Sequence, residues 1–390
     1  MSKKRGSGEG SIYQRSDTRW CATISLPRVG GQRRTRKSFY GLTRKEVADQ
    51  LTKALRERDQ GLPVTNDRQT LEQFLTYWLE HHVRPSVRPR TFESYSLLSR
   101  VHLIPDLGRI PLQQLTPQHV QAFLASKLKS GRAPQTVRHM RTVLRRALNA
   151  AMKWNLIGRN SAALVDPPRL ERRRTTTLSA EQARRVLEAA DGERLAALYT
   201  LALSLGMREG EVLGLRWSDI RELEGGSPTL TISQTLQRIG REFQFAEPKT
   251  DRSRRTLALP KSVVKALLAH RRRQAAERLA LGPAWNDLDL VFTTPDGLPI
   301  ERKSLHRNFK HLLAKAGMPD CRFHDLRHSA ASLLIAEGVP LRTIMELLGH
   351  SSISVTADIY SHIAPAMMRD AADKMDSILG GEAEANLAGS

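Results

Sequence analysis

Two polar stretches constrain how this chain can fold, because neither can sit inside a core. The first runs from Gly61-Leu62-Pro63 to Asp67. The second is Asp166-Pro167-Pro168, followed by Glu171-Arg172-Arg173-Arg174. Both are rich in turn-forming or charged residues and poor in apolar ones, so they read as linkers. They divide the 390 residues into three candidate domains, at residues 1–62, 68–166 and 175–380. The small polar tail at 381–390 reads as mobile.

The first segment alternates apolar and polar residues, the period of a strand. Strands are expected at 10–14, 20–26 and 36–40, with a turn at Gly30-Gly31. Thr43 and Glu46 form a capping-box pattern ahead of a helix over 44–60. The result is a small three-stranded sheet with one helix. Fifteen Lys or Arg against six Asp or Glu lie in residues 1–60, interleaved with Tyr13, Trp20 and Phe39. That composition suits a sheet inserted into a DNA groove, or an ordinary sheet with solvated charges.

The second segment has apolar residues at helical spacing, as in Leu71, Phe74, Leu75, Trp78 and Leu79. Helices are expected at 70–82, 89–103, 117–130 and 134–153, separated by Pro85, Pro89, Pro105, Gly108, Pro111, Gly131 and Pro134. Arg138, Arg141, Arg145 and Arg146 recur along the fourth, as a solvated face or a phosphate-tracking one. In the third segment Ser179 and Gln182 open a helix. Mixed helices and strands follow, with strands at 230–237, 243–245, 255–258 and 290–292. The expected architecture is multidomain and mainly α with small β-sheets: a three-stranded sheet plus helix, an all-helical domain and a mixed α+β domain.

Charge narrows the partner. Lysine and arginine number 62 against 40 acidic residues, a net charge of +22. Such a field draws polyanions, and nucleic acid is the first candidate. Cys21 and Cys321 are the two cysteines, too few for a disulfide framework or a cysteine-based zinc site. The N-terminal residues lack an apolar stretch behind their charges, so no signal peptide is expected. The apolar run at 195–207 is too short to span a bilayer and reads as a buried helix. A soluble cytoplasmic protein without membrane contact is expected.

Four segments of the third domain place uncommon polar residues inside regular patterns. In Gly206-Met207-Arg208-Glu209-Gly210-Glu211, Arg208 and Glu211 share a helix face, as a surface ion pair or as an arginine held for an oxyanion. Lys249 sits in Glu247-Pro248-Lys249-Thr250, between two strand-like stretches. His324-Asp325-Leu326-Arg327-His328 begins a helix that should bury Leu326, Leu333 and Leu334 and end at Gly338. It imitates the zinc motif H-E-x-x-H, but Asp325 is too short, Arg327 would oppose a metal, and no third ligand follows. Finally, Gly349 ends a helix before His350, and Tyr360 falls near the end of a second, short one. Taken alone, that tyrosine reads as packing.

Together these segments resemble the tyrosine recombinase, or phage-type integrase, family, in order and spacing over about residues 175–370. The family's Arg…Lys…His-x-x-Arg…His…Tyr set corresponds to Arg208, Lys249, His324 with Arg327, His350 and Tyr360. Leu205 departs from the threonine many members carry before the glycine. The helical domain and basic leader resemble the family's core-binding and arm-binding domains.

The resemblance implies a site-specific recombinase that cleaves and rejoins DNA through a 3′-phosphotyrosyl intermediate. Tyr360 would be the nucleophile, His324 the base, Lys249 the general acid, and Arg208 and Arg327 the phosphate clamp. His350 would bond the phosphate or the phenol, and Glu211 would orient Arg208 or His324. No cofactor or metal is implied. The implied partners are double-stranded DNA at core and arm sites, three further protomers in a homotetramer, and accessory bending or directionality factors. The segment at 363–379 would pack on its own domain or on a neighbour. A catalytically silent regulator would lack the nucleophile or an arginine, and all positions are filled. A type IB-like topoisomerase would use a similar site to relax DNA.

Overall fold

The computed structural model describes residues 10–25, 36–59, 69–170, 176–248 and 254–349, with 372–373 and 375–376. The chain divides into two compact units, Met1–Arg172 and Arg173–Ser390, and the cut falls in the second polar stretch.

The first unit contains two separate cores. Strands β1 (Ser11–Gln14), β2 (Trp20–Ser25) and β3 (Arg36–Gly41) pair antiparallel in that order. Helix α1 (Arg44–Asp59) packs on one face, where Ala22, Ile24, Val47, Leu51 and Ala54 are buried. Its start is capped as expected: Thr43 Oγ1 accepts from the Glu46 N–H, and Glu46 accepts from the Leu42 N–H. The strand alternation sorts the aromatics differently from their sequence order. Trp20 and Phe39 turn toward the helix, while Tyr13 and Tyr40 flank Cys21 in register and are exposed. The Arg15 guanidinium lies 5.5 Å from the centre of the Tyr40 ring. The Gly30-Gly31 turn lies outside the described residues.

The second core belongs to a helical bundle. Helix α2 (Leu71–Trp78) carries a Thr70–Gln73 capping box. It does not stop before Pro85: a π-turn at Leu79–Val83 leads into α3 (Arg84–Ser86). Likewise α4 (Pro89–Leu98) runs through a π-turn at Ser99–Leu103 into α5 (Ile104–Leu107), across Pro105. A proline in a helix loses a hydrogen bond and crowds the carbonyl four residues back. The wider turn ahead of it relieves that crowding, with Arg84 N–H bonded to Leu79 O and Ile104 N–H to Ser99 O. Pro85 and Pro105 are therefore absorbed rather than separating helices. Pro117 and Pro134 sit in the first turns of α6 (Pro117–Lys129) and α7 (Pro134–Lys153), where a missing N–H costs nothing. Phe74, Trp78, Leu103, Met140 and Leu144 are fully buried between these helices.

In the second unit, Ser179 and Gln182 box the start of α8 (Ala180–Ala189). Helix α9 (Ala196–Leu205) is the buried helix expected from the apolar run, and it is packed by α8 and by three later elements. These are α10 (Glu209–Leu213), α11 (Lys261–Leu281) and α13 (Asp325–Ala336). Strands β4 (Ile220–Arg221), β5 (Thr229–Thr231) and β8 (Thr256–Ala258) form one sheet; β6 (Thr235–Ile239) and β7 (Glu242–Ala246) form a hairpin.

The expected strand at 230–237 is thus split between two sheets. Gln234, at the break, donates its amide to Gly214 O at 2.8 Å. Residues 290–292 are buried but join their neighbours by one bridge, Arg216 to Leu290. Helices α12 (Arg302–Lys315) and α14 (Leu341–Leu348) complete the described part. On α13, Leu326 is buried as expected, whereas Leu333 and Leu334 are half-buried and Ala331 and Ile335 take the interior.

Candidate active site

The site is assembled where α9, α13 and α14 end or begin close together. Gly206 closes α9 in the left-handed conformation, φ 58°. A Cβ there would stand 2.3 Å from a Leu348 methyl, so any other residue would force the buried Leu348 side chain to shift. Gly349 closes α14 in the same conformation, φ 64°. These two turns bring Arg208, Arg327 and the last carbonyls of α14 together.

Arg208 is the N-cap of α10 rather than a residue on its face. Its Nη1 donates to Glu211 Oε1 at 2.7 Å, and its own N–H donates to Oε2 at 3.0 Å. Its Nη2 donates to Gly349 O at 2.7 Å. The Glu211 side chain is 1% exposed, against 37% for that of Arg208. The surface-pair reading therefore fails: the acid is interior and presents the arginine outward. Burial pushes the Glu211 carboxyl up, but Arg255 and Arg208 outweigh it and hold the group below the usual carboxylate range. Val212, Leu213 and Leu215 anchor this turn in the core.

Arg327, 3% exposed, donates Nη1 to Gly206 O and Nη2 to Leu348 O, each at 2.6 Å. Burial, and secondly Arg208, draw it down from the ordinary arginine range to about 9. Glu211 offsets this only in part, since Arg208 and Arg255 both act against it. His324 is the N-cap of α13. Burial lowers its pKa below the ordinary histidine value, helped by His328 and Arg327, so the ring is neutral near pH 7.

One arginine at this site was not anticipated. Arg255 donates Nε to Leu347 O at 2.6 Å and Nη2 to Glu211 Oε2 at 3.1 Å. Its signal in the sequence was faint. Arg255, Leu257 and Leu259 alternate at strand period, and both leucines are buried, so the arginine at that register points inward too. A second buried acid was also missed: Glu209 takes a two-point ion pair from Arg302 at 2.6 and 2.9 Å and a 3.1 Å contact from His306, fastening α10 to α12.

Three guanidiniums thus surround one carboxylate. The surplus of two positive charges matches a phosphodiester under attack, which carries one negative charge and gains a second. Lys249, His350 and Tyr360 lie outside the described residues, as does most of the 363–379 segment. On α7, Arg138 and Arg145 are exposed, but Arg141 is only 9% exposed and its Nε has no partner among the described residues. No group of acidic, histidine or cysteine side chains suited to a metal occurs among the described residues.

Comparison with known proteins agrees with this geometry. The phage integrase family profile matches residues 176–367, and the SAM-like N-terminal domain profile of phage integrases matches 70–128. A tyrosine recombinase XerC-like protein of Caldanaerobacter subterraneus is 32% identical, over 91% of this chain and 95% of its own. Among solved structures, the Tn1549 transposon integrase in complex with transposon right end DNA aligns with TM-score 0.65 at 19% identity, over 78% of this chain and 99% of that one. A lambda integrase tetramer bound to a Holliday junction aligns with TM-score 0.56 at 20% identity, over 91% and 96%. A relative this similar along nearly its whole length, joined to an arginine pair held by fixed partners on the matched segment, establishes that the chain belongs to the phage integrase family of tyrosine recombinases, enzymes that transfer DNA strands between specific sites.

Proposed function

We propose that this recombinase integrates or excises a mobile element by nucleophilic attack of Tyr360 on a DNA phosphodiester. The carrying observation is the arginine pair: Arg208 and Arg327 are fastened by Glu211 and by backbone carbonyls beside a neutral His324. In this reading the Tyr360 oxygen bonds to phosphorus and the bond to the 5′ oxygen breaks. His324 takes the phenol proton and Lys249 protonates the leaving 5′-hydroxyl. Arg208 and Arg327 hold the non-bridging oxygens, and His350 bonds the phosphate or the phenol. The 3′-phosphotyrosyl ester keeps the energy of the broken bond, so a second 5′-hydroxyl reverses the step on a new strand.

A pH profile tests the base. With its pKa below about 6.5, His324 is ready to accept a proton at neutral pH. Single-turnover cleavage should stay level from about pH 8 to 6.5 and fall below that as His324 protonates. The same acid-side fall, with an unchanged midpoint, in a His324→Gln variant would remove His324 from the role. Burial lowers His270 and His328 as well. The unfolded chain then binds protons that the folded chain refuses, so folding stability also falls as pH drops below about 6.5. Circular dichroism must therefore accompany the rate.

For partners, the reading is double-stranded DNA at core and arm sites, a homotetramer exchanging strands in pairs, and accessory bending or directionality factors. The tetramer is supported by the lambda integrase assembly on a Holliday junction. Arg138 and Arg145 are offered as phosphate contacts of the helical domain, with Arg141 held deeper between them. Cytoplasmic location follows from DNA as substrate; among the described residues no helix is long and apolar enough to cross a membrane.

The exposed Tyr13–Tyr40 face, with Arg15, is offered as the arm-site surface. Deleting residues 1–62 should weaken footprints on distal arm sites by about tenfold or more, and on the core site much less. Equal loss on both would separate the leader from arm recognition.

A further inference from the structure

We infer that Arg255 is a positioning residue for strand cleavage, resting on the recombinase reading above. It sets the Arg208 guanidinium through their shared Glu211 and secures the helix end that leads to His350 and Tyr360. The carbonyls of Leu347, Leu348 and Gly349 are consecutive, and each accepts from a different arginine: Arg255 Nε, Arg327 Nη2 and Arg208 Nη2. The last carbonyls of a helix lack intrahelical donors and lie at the negative end of its dipole. Three cations therefore grip the end of α14, directly ahead of His350 in sequence.

Arg255 is unlike the other two. Its side chain is 8% exposed and its guanidinium is turned to Glu211 and Leu347. It is the interior partner of a chain running Arg255–Glu211–Arg208, at whose outer end Arg208 is partly open. Each Glu211 oxygen is shared: Oε1 accepts from both arginines, at 2.7 Å from Arg208 and 3.4 Å from Arg255. Without Arg255 the carboxylate loses its interior donors and keeps the bonds from Arg208, so carboxylate and partly exposed guanidinium can turn together. Partners that orient metal ligands in this indirect way typically change activity by about 10- to 100-fold, and by analogy an effect of that order is expected here.

The test is a cycle in single-turnover cleavage of a nicked duplex carrying the attachment sequence beside the gene. The variants are Arg255→Ala, Arg208→Lys and the two combined, with DNA affinity and melting temperature measured alongside. Arg255→Ala should slow cleavage by about 10- to 100-fold while affinity changes less than about threefold. In the Arg208→Lys background the same change should cost less than about threefold, because its target is already displaced. Losses that multiply, or an Arg255→Ala rate within about threefold of the unmodified chain, would overturn the assignment. If the alanine variant does not fold, Arg255→Lys enters the same cycle, keeping the charge and losing the two-sided grip. Adduct formation by the unmodified chain is the control that separates failure here from failure of the recombinase reading.

Discussion

A Tyr360→Phe variant should bind its DNA as the unmodified chain does and form no covalent adduct with a nicked suicide substrate. The substitution removes one oxygen, which in the proposed reaction is the atom that bonds to phosphorus. No neighbouring group is offered as a substitute, since a lysine or histidine adduct would have a different, acid-labile linkage. Binding should persist because affinity comes from many phosphate contacts spread over a chain of net charge +22. The fall in adduct is therefore limited only by detection, against a change in affinity of less than about threefold. A phenylalanine variant that still yields an alkali-resistant adduct would place the nucleophile elsewhere. One that neither binds nor cleaves would point to a structural role for the phenol, which melting curves would expose.

Much of this organisation is legible in the sequence because it is carried by local rules. The strands at the N-terminus, the caps of α1 and α8, the buried α9 and the helix stop at Gly349 follow from periodicity and cap chemistry. Motif spacing brings Arg208, Glu211, His324 and Arg327 into one group. What escapes depends on the third dimension. Pro85 and Pro105 look like stops, yet a π-turn lets each helix continue, and nothing in a local window announces one extra residue per turn. The buried residues 290–292 have strand composition but a single bridging partner. Arg141 looks like one of a row of exposed arginines until helix rotation turns it inward. Arg255 lies in the basic run Arg252-Ser253-Arg254-Arg255, where solvent exposure is the natural expectation. Its interior role depends on Glu211, 44 residues earlier, and Leu347, 92 residues later.

An Arg327→Lys variant should lose on the order of 100- to 1000-fold in single-turnover cleavage, about 2.7–4 kcal/mol of transition-state stabilisation, by analogy with loss of one oxyanion donor. The charge is conserved, so the loss comes from geometry and from the proton. Arg327 uses one planar group to reach Gly206 O and Leu348 O together, keeping further N–H donors for a phosphate. An ammonium has three donors in a tetrahedral array, cannot reproduce that spread, and would leave a buried carbonyl poorly served. The second loss is electrostatic. The environment that draws the arginine down does so mainly by burial, with Arg208 as the next cause. A lysine there starts near 10.4, and full burial can lower a lysine by about 3–5 units. Its proton would then come off near neutral pH. The two enzymes should accordingly differ in slope between about pH 6.5 and 8: level for the unmodified chain, falling with rising pH for Arg327→Lys. That difference is the decisive outcome. A lysine variant with a level profile and a rate within about threefold of the unmodified chain would mean that the buried guanidinium serves the fold alone and the scissile phosphate is held by other groups.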